Sequence, residues 1–472
     1  MSSFRVMLAA AALFAPVPVP AQHPEDLAAG VDTVFARWDA AESAGCAVGV
    51  SRNGDVVLSA AYGMADLEHG IRNTPESVFE AGSVSKQFAA AAVVLLVQDG
   101  LLSLDDDVRR YVPELPDYGH RIAIRHLLTH TSGLRDWGSV AAIGGWGRGQ
   151  RTHTHEHVLD ILSRQRALNF TPGAEYSYSN SGYNLLAIIV GRVSGMPFAE
   201  FSRTRIFEPL GLMHTQWRDD YRRIVKGRTA AYAMRRGGWV IDRPIEDVHG
   251  NGGLLTTVGD LLKWDAALAA GTPGGRAFVD MMHERGVLND GSRIAYASGL
   301  VIGALEGSRE IGHTGSTAGY RAFLARYPDQ QLAVAVLCNA GNVNPGQVGR
   351  RVARLGLGAR AAAAAPTSGS QQPPAPRRAP EPTVLPRAAL EALAGEFYSP
   401  DAEVTFTVAV DGDRLLLHRR PAGRIELTHL GEELFAAGSL GRIRFIRDAT
   451  GNVSQLSVQQ ARVYDLRFDR VR

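Results

Sequence analysis

Between Ala359 and Pro386 the chain reads ARAAAAAPTSGSQQPPAPRRAPEPTVLP. Alanine, serine, glutamine and proline offer no set of side chains that can bury a core, and the prolines hold the backbone extended. Such a stretch separates two folding units. The length of 472 residues agrees, being too long for one ordinary domain. The expected layout is a signal peptide at 1–21, a first domain at 22–358, a linker at 359–386 and a second domain at 387–472.

The N-terminus has the pattern of an export signal. Arg5 supplies the positive start, Val6 to Pro16 the short apolar run, and Val19 and Ala21 the small residues before a cut after Ala21. The run is too short to span a bilayer, and Pro16, Pro18 and Pro20 would stop a core helix. The expected location is the periplasm or the exterior of the cell. No later stretch is long and apolar enough for a membrane span. A net charge of +2 gives no electrostatic case for nucleic acid or an anionic membrane. Cys46 and Cys338 make no disulfide framework. Both fall in predicted strands, where buried free thiols are expected, although an exported chain could pair them.

Leu27, Val31, Val34, Phe35 and Trp38 recur at helical spacing. CAVGVSR and VVLSAAYG then flank Asn53-Gly54-Asp55, a hairpin signal. A helix containing Lys86 is expected to run to about Gln98 and stop at Gly100; its apolar middle, AAAAVVLLVQ, should be buried all round. Strands return after Arg309, in EIGHTG, GYRAFLARY and QLAVAVLCN. Early and late strands thus bracket a helical middle, the layout of an α+β domain whose antiparallel sheet is closed by both chain ends. Beyond the linker, Val404, Phe406, Val408 and Val410 alternate strictly, and further short strands follow. They predict a small antiparallel barrel or sandwich.

Three stretches carry chemistry. In GSVSKQF, Lys86 is one of three lysines, with Lys226 and Lys263, and the one with a serine three positions upstream. Residues three apart share a helix face, so if Ser83 opens the helix the amine can reach its hydroxyl and activate it as a nucleophile. In PGAEYSYSN, Tyr178 and Asn180 lie on a short loop before an apolar helix. A tyrosinate beside an ammonium can act as a general base, and an asparagine can bind a substrate amide while orienting the lysine. In GHTGSTAGY, His313, Thr314 and Gly315 end a strand, and the glycine lets a substrate backbone approach its edge. Taken singly, each stretch has a plain structural reading: a serine cap with a surface lysine, an aromatic turn, a glycine-rich hairpin.

Together, S-x-x-K, Y-x-N and H-T-G in this order resemble the penicillin-recognising serine hydrolases. The pattern is most similar to class C β-lactamases, low-molecular-weight penicillin-binding proteins, family VIII esterases and D-aminopeptidases. HLLTHTSGL and GNGGLLTTVGDLLKW support the likeness, which covers roughly Val31 to Leu357. The resemblance implies that Ser83 is acylated, that Lys86 and Tyr178 transfer protons, and that Asn180 binds the substrate amide. It implies that His313, Thr314 and Gly315 line the substrate strand and that the N–H groups of Ser83 and Ser316 form the oxyanion hole. It also implies no metal and no cofactor. A lipocalin-like second domain that covers the cleft or joins subunits is a further implication, with homo-oligomers left open.

Many β-lactamases and transpeptidases carry lysine where this chain has His313. A mostly neutral histidine should weaken recognition of a penicillin carboxylate by about 1–2 kcal/mol. Histidine here resembles D-aminopeptidases with a C-terminal barrel. The expected activity is hydrolysis of small peptides, amides or esters, with weak β-lactamase activity at most. β-Lactamase or D,D-carboxypeptidase activity is the alternative, and a silent scaffold on the same fold the rival of another class. Arg135 to Arg151 and the second domain are expected to shape the pocket. HTHEH, His153 to His157, has the look of a metal cluster, but Thr152 or Thr154 followed by Glu156 reads as a helix start. His126, His130 and His249 are expected to order loops.

Overall fold

The computed structural model describes residues 24–358, 385–421 and 423–471. The expected signal peptide and most of the linker lie outside the described residues. Strands β1 (Cys46–Arg52) and β2 (Asp55–Tyr62) form the expected hairpin. Asn53 and Gly54 both take positive φ, 55° and 90°, as the tight turn between right-twisted strands requires. Strands β3 (Val301–Leu305), β4 (Ser308–Thr317), β5 (Tyr320–Tyr327) and β6 (Leu332–Cys338) complete a six-stranded antiparallel sheet of order β3-β4-β5-β6-β1-β2. The first and last strands of the domain are therefore neighbours at its centre.

Alternation along β6 explains why every one of its residues is buried. Ala333, Ala335 and Leu337 enter one apolar core, and Val334, Val336 and Cys338 enter another on the opposite face. Helix α4 (Val258–Ala270) covers the first face of β1 and β6; α1 (Pro24–Phe35) and α6 (Pro345–Leu357) cover the second. Burying one valine of such a strand contributes about 1.5–3 kcal/mol. Two-sided cover is why the strand reads as an unbroken apolar run rather than an alternating one. Cys46 and Cys338 stand directly opposite each other in this register and form a disulfide, which corrects the expectation of free thiols. Strand burial was foreseen; cross-strand register, which brings the two sulfurs together, has no local signal.

Helix α2 (Lys86–Gln98) packs on α3 (Asn180–Ser194), and all residues of α2 from Lys86 to Leu96 are buried. Gly100 follows at φ 72°, beyond the helix end. Helix α5 (Gly275–His283) also packs on α2. Among the described residues no single helix is long and apolar enough to cross a membrane.

After the linker, β7 (Gly395–Ser399), β8 (Val404–Asp411), β9 (Arg414–Arg419), β10 (Gly423–Gly431), β11 (Leu434–Ala436), β12 (Arg442–Arg447), β13 (Val453–Gln460) and β14 (Val463–Arg470) follow. They form a closed antiparallel barrel, sealed where β7 pairs with β14. Closure decides between the barrel and the sandwich that the strand pattern allowed, and it leaves no open edge. Val404, Phe406 and Val408 point inward, as their alternation predicts.

The barrel sits on the loops of the first domain. Arg135 Nη1 donates to Asp401 Oδ2 at 2.7 Å, with both side chains 4% exposed. Gln165 Nε2 donates to Asp401 O at 2.9 Å, and Arg419 Nη1 to Ile143 O at 2.6 Å. Much of the segment from Arg135 to Arg151 is thus the seat of the barrel.

Candidate active site

Gly82–Ser85 forms a single turn of 3-10 helix, and α2 begins at Lys86. The sequence predicts Ser83 at the mouth of an α-helix; it lies instead in this tighter turn, in which residues three apart are eclipsed. That geometry places Lys86 Nζ 3.1 Å from Ser83 Oγ. Gly82 has φ 51°, and a Cβ on it would lie 2.6 Å from Ser316 N. A Cβ on Gly315 would collide with Ala81 O. Both glycines are needed for the serine turn to press against the end of β4, which puts the backbone of Ser316 beside that of Ser83.

Lys86 is fully buried and makes three contacts. Besides Ser83 Oγ, its Nζ lies 3.0 Å from Asn180 Oδ1 and 2.6 Å from the Asn251 carbonyl. Both oxygens only accept, so each takes an N–H. A neutral amine has two N–H groups and one lone pair. The two are spent on Asn180 and Asn251, and the lone pair is left facing the serine hydroxyl. The electrostatics favour that neutral form: burial first, then the positive charges of Arg148 and Arg462, hold the lysine well below its ordinary pKa.

Tyr178 is displaced in the opposite direction. Burial pushes its phenol well above the usual tyrosine range, against the smaller effects of Ser83 and Arg462. Its Oη is buried and makes no hydrogen bond of normal geometry among the described residues. The ring lies 4.2 Å from that of His130 and 4.9 Å from Lys86 Nζ, centroid distances in both cases. His130 accepts from Ser179 N at 3.3 Å and is kept neutral by burial, with Lys86 and His313 adding to the effect. This is the loop-ordering part expected of it, played against the site.

Along β4, Thr314 and Ser316 are exposed to the cleft while His313 and Gly315 are buried. His313 Nδ1 donates to Thr314 O at 2.5 Å, so Nε2 accepts from Tyr296 Oη at 3.1 Å. Burial, and secondarily Lys86, lower the imidazole pKa to about 4. It is neutral at pH 7, as the sequence suggests.

All eight residues singled out from sequence, Ser83, Lys86, Tyr178, Asn180, His313, Thr314, Gly315 and Ser316, thus meet; all but Lys86 line one cleft of about 780 Å³. Asn251 was missed as a contact of Lys86, although its glycine-rich stretch was noticed. Its Oδ1 accepts from Asn184 Nδ2 at 2.8 Å, and Asn184 Oδ1 accepts from Trp137 Nε1 at 2.8 Å. Arg148, which also lines the cleft, is paired with Glu246. Arg462, from the barrel, was missed entirely; its guanidinium lies 4.8 Å from the Tyr178 ring centroid.

The His153–His157 segment opens the expected helix. Thr154 caps it, accepting from His157 N at 3.5 Å. His153 Nε2 meets Trp146 O and His155 Nε2 meets His249 O, both at 3.0 Å. These rings are engaged by backbone carbonyls.

The family model described as Beta-lactamase matches residues 31–359. Penicillin-binding protein 4* of Bacillus subtilis is 30% identical over 309 residues, 61% of this chain and 66% of that protein. The D-aminopeptidase of Brucella canis is 27% identical over 316 residues, 66% of this chain and 60% of that protein. The chain thus matches less than two thirds of the length of each. The octameric penicillin-binding protein homologue from Pyrococcus abyssi superimposes with a TM-score of 0.64 at 23% identity, over 95% of this chain and all of that one. That superposition extends the shared fold through the barrel.

Proposed function

The chain belongs to the Beta-lactamase family, and from that premise we propose that it is an exported serine hydrolase that cleaves small peptides, amides or esters through an acyl-enzyme. One observation carries the reading: the Lys86 amine gives its two N–H groups to Asn180 Oδ1 and Asn251 O and turns its third contact to Ser83 Oγ. A lysine depressed in pKa and a tyrosine raised in pKa on either side of one hydroxyl divide the labour of base and acid.

In this mechanism Lys86 takes the Ser83 proton as Oγ attacks the substrate carbonyl carbon. The N–H groups of Ser83 and Ser316 receive the oxyanion, each worth about 3 kcal/mol to the transition state. Tyr178 passes its proton to the departing nitrogen or oxygen, and Lys86 reprotonates the phenolate. Water then attacks the ester on Ser83, its proton drawn off by the same pair, and Ser83 leaves reprotonated. Asn180 holds Lys86 through Oδ1, which leaves Nδ2 for the substrate carbonyl.

Neutral His313 places no fixed charge at the strand edge, so β-lactam hydrolysis is a minor activity in this reading. Export is supported by the N-terminal pattern and by the disulfide, since such bonds persist in oxidising compartments. Self-association is proposed on the likeness to the octameric Pyrococcus abyssi protein and is read by light scattering. The central test is labelling by a fluorophosphonate probe. Wild type should label and Ser83→Ala should not; a folded wild-type sample that stays unlabelled refutes the hydrolase. Nitrophenyl esters, D-amino acid amides and a chromogenic cephalosporin then rank the bonds, with the cephalosporin turned over slowest.

A further inference from the structure

The charges that line the cleft are of one sign. Arg148, Arg321, Arg350 and Arg462 line it, and no aspartate or glutamate does among the described residues. Two of the four are matched: Arg148 by Glu246 and Arg350 by Glu310. Arg321 donates to the carbonyls of Ala318, Tyr320 and Gly341. Arg462 differs from all three. Its nearest carboxylate is Asp136 Oδ2, 3.9 Å from Nη1, and its side chain is 42% exposed. Asp136 is oriented by other donors, accepting from Asn180 N at 2.8 Å and from the N–H and hydroxyl of Ser139, so its ion pair with Arg462 stays long.

Arg462 is also held in place by its backbone. Ala461 and Arg462 form the two-residue tip of the β13–β14 hairpin. The carbonyl of Arg462 accepts from Asn169 Nδ2 at 3.0 Å and from Asp136 N at 3.3 Å, and Tyr464 N donates to Asn169 Oδ1 at 3.0 Å. The tip is clamped to the first domain, so the guanidinium is presented at the face of Tyr178 rather than left to wander. A fixed guanidinium held by one long ion pair and, among the described residues, no short hydrogen bond keeps its N–H fork for a carboxylate on a ligand.

We propose that Arg462 is a carboxylate subsite contributed by the barrel, and that the substrates of this enzyme carry a carboxylate near the scissile bond. This rests on the hydrolase reading above and narrows it. Arg462 comes from the barrel and not from the strand that carries His313, so it does not restore the strand-edge charge on which the recognition of a β-lactam carboxylate is expected to depend. The carboxylate can sit on the leaving group or on the acyl group, and the test separates the two.

The experiment compares kcat/KM of the full chain on two matched ester pairs. In 3-carboxyphenyl butyrate and its methyl ester the charge is on the leaving group; in 4-nitrophenyl hemisuccinate and 4-nitrophenyl butyrate it is on the acyl group. The acid member of one pair should be preferred by about tenfold or more, chiefly through KM, and the preference should shrink as salt is raised. Arg462→Gln should bring that ratio to within about threefold of unity, and Arg462→Lys should give an intermediate ratio, since it keeps the charge but loses the fork. Thermal melts check that the variants fold; if Arg462→Gln does not, the wild-type ratio and its salt dependence decide.

Two results overturn the subsite: no preference for either acid by wild type, or an equal loss on both members of a pair in Arg462→Gln, which would mean that Arg462 acts on the Lys86–Tyr178 pair instead. Fluorophosphonate labelling of Ser83 without a carboxylate preference defeats the subsite and leaves the hydrolase standing. If Ser83 is not labelled, binding of N-phenylacetylglycine and its amide to Ser83→Ala reads the subsite alone. Tighter binding of the acid, lost in the Arg462→Gln double variant, supports it, and equal binding refutes it.

Discussion

The two sides of the cleft treat charge in opposite ways. Around Ser83, burial suppresses it: Lys86 is pushed toward the neutral amine, Tyr178 toward the phenol and His313 toward the neutral ring. At the barrel side the Arg462 guanidinium stays partly exposed. The arrangement separates proton transfer, which needs groups that can be neutral or charged near pH 7, from recognition, which needs a charge that never titrates. The two sides interact, because Arg462 adds to the depression of Lys86.

The sharpest way to break the comparison is at its centre. Lys86→Ala removes the base and leaves Asn180 Oδ1 and Asn251 O without their donor. It should lower kcat by roughly 10⁴-fold, as removal of one member of a tightly coupled set does, with folding checked by circular dichroism. A loss under tenfold would mean that the lysine is not the base. For the wild type, the depressed pKa of Lys86 puts the acidic limb of the pH–kcat/KM profile well below that of an ordinary lysine, with activity rising as pH rises through it.

The next effect is on the other side. Asp401→Ala leaves the buried Arg135 guanidinium without its partner, which should cost about 3–5 kcal/mol in chemical unfolding. The same change should loosen the barrel seat and so weaken any carboxylate preference. If stability falls while the preference stays intact, the hairpin tip is held by Asn169 and Asp136 alone.

The smallest effect tests suppression of charge directly. The His313 imidazole has a folded pKa of about 4 against an ordinary value near 6.5. Between those values the unfolded chain binds the proton and the folded one does not, so stability falls as pH falls through that window and is unaffected above it. The full penalty, reached below pH 4, is about 3 kcal/mol. Replacing His313 with Gln should flatten the fall in melting temperature between pH 7 and pH 5. An unchanged slope would assign it to other buried histidines, such as His283.

These two sides were not equally legible in the sequence. Ser83, Lys86, Tyr178 and Asn180 stand in short spacings whose chemistry can be named before any fold is known, and the Asn53-Gly54 turn marks its hairpin outright. Arg462 sits in QQARVY, a stretch with nothing to set it apart. It acquires a role only because closure of the barrel aims one hairpin tip at Asn169. Asn251 lay between: its stretch, GNGGLLTTVGDLLKW, stood out for its likeness to the family, but only packing against Asn184 shows which carbonyl reaches the lysine. The disulfide was misjudged for the same reason, since pairing depends on register across strands far apart in the chain.

That disulfide joins Cys46 to Cys338 across a sequence separation of 292. Ser83, Lys86, Tyr178, Asn180 and the His313–Ser316 strand all lie inside this covalent ring, while the barrel and its arginine hang outside it. A protease that nicks any loop within the ring leaves the two pieces joined, migrating as one band until a thiol is added. A cut in the tether after Gly358 releases the barrel outright, so one gel run with and without reductant would tell which half of the cleft had been severed from the other.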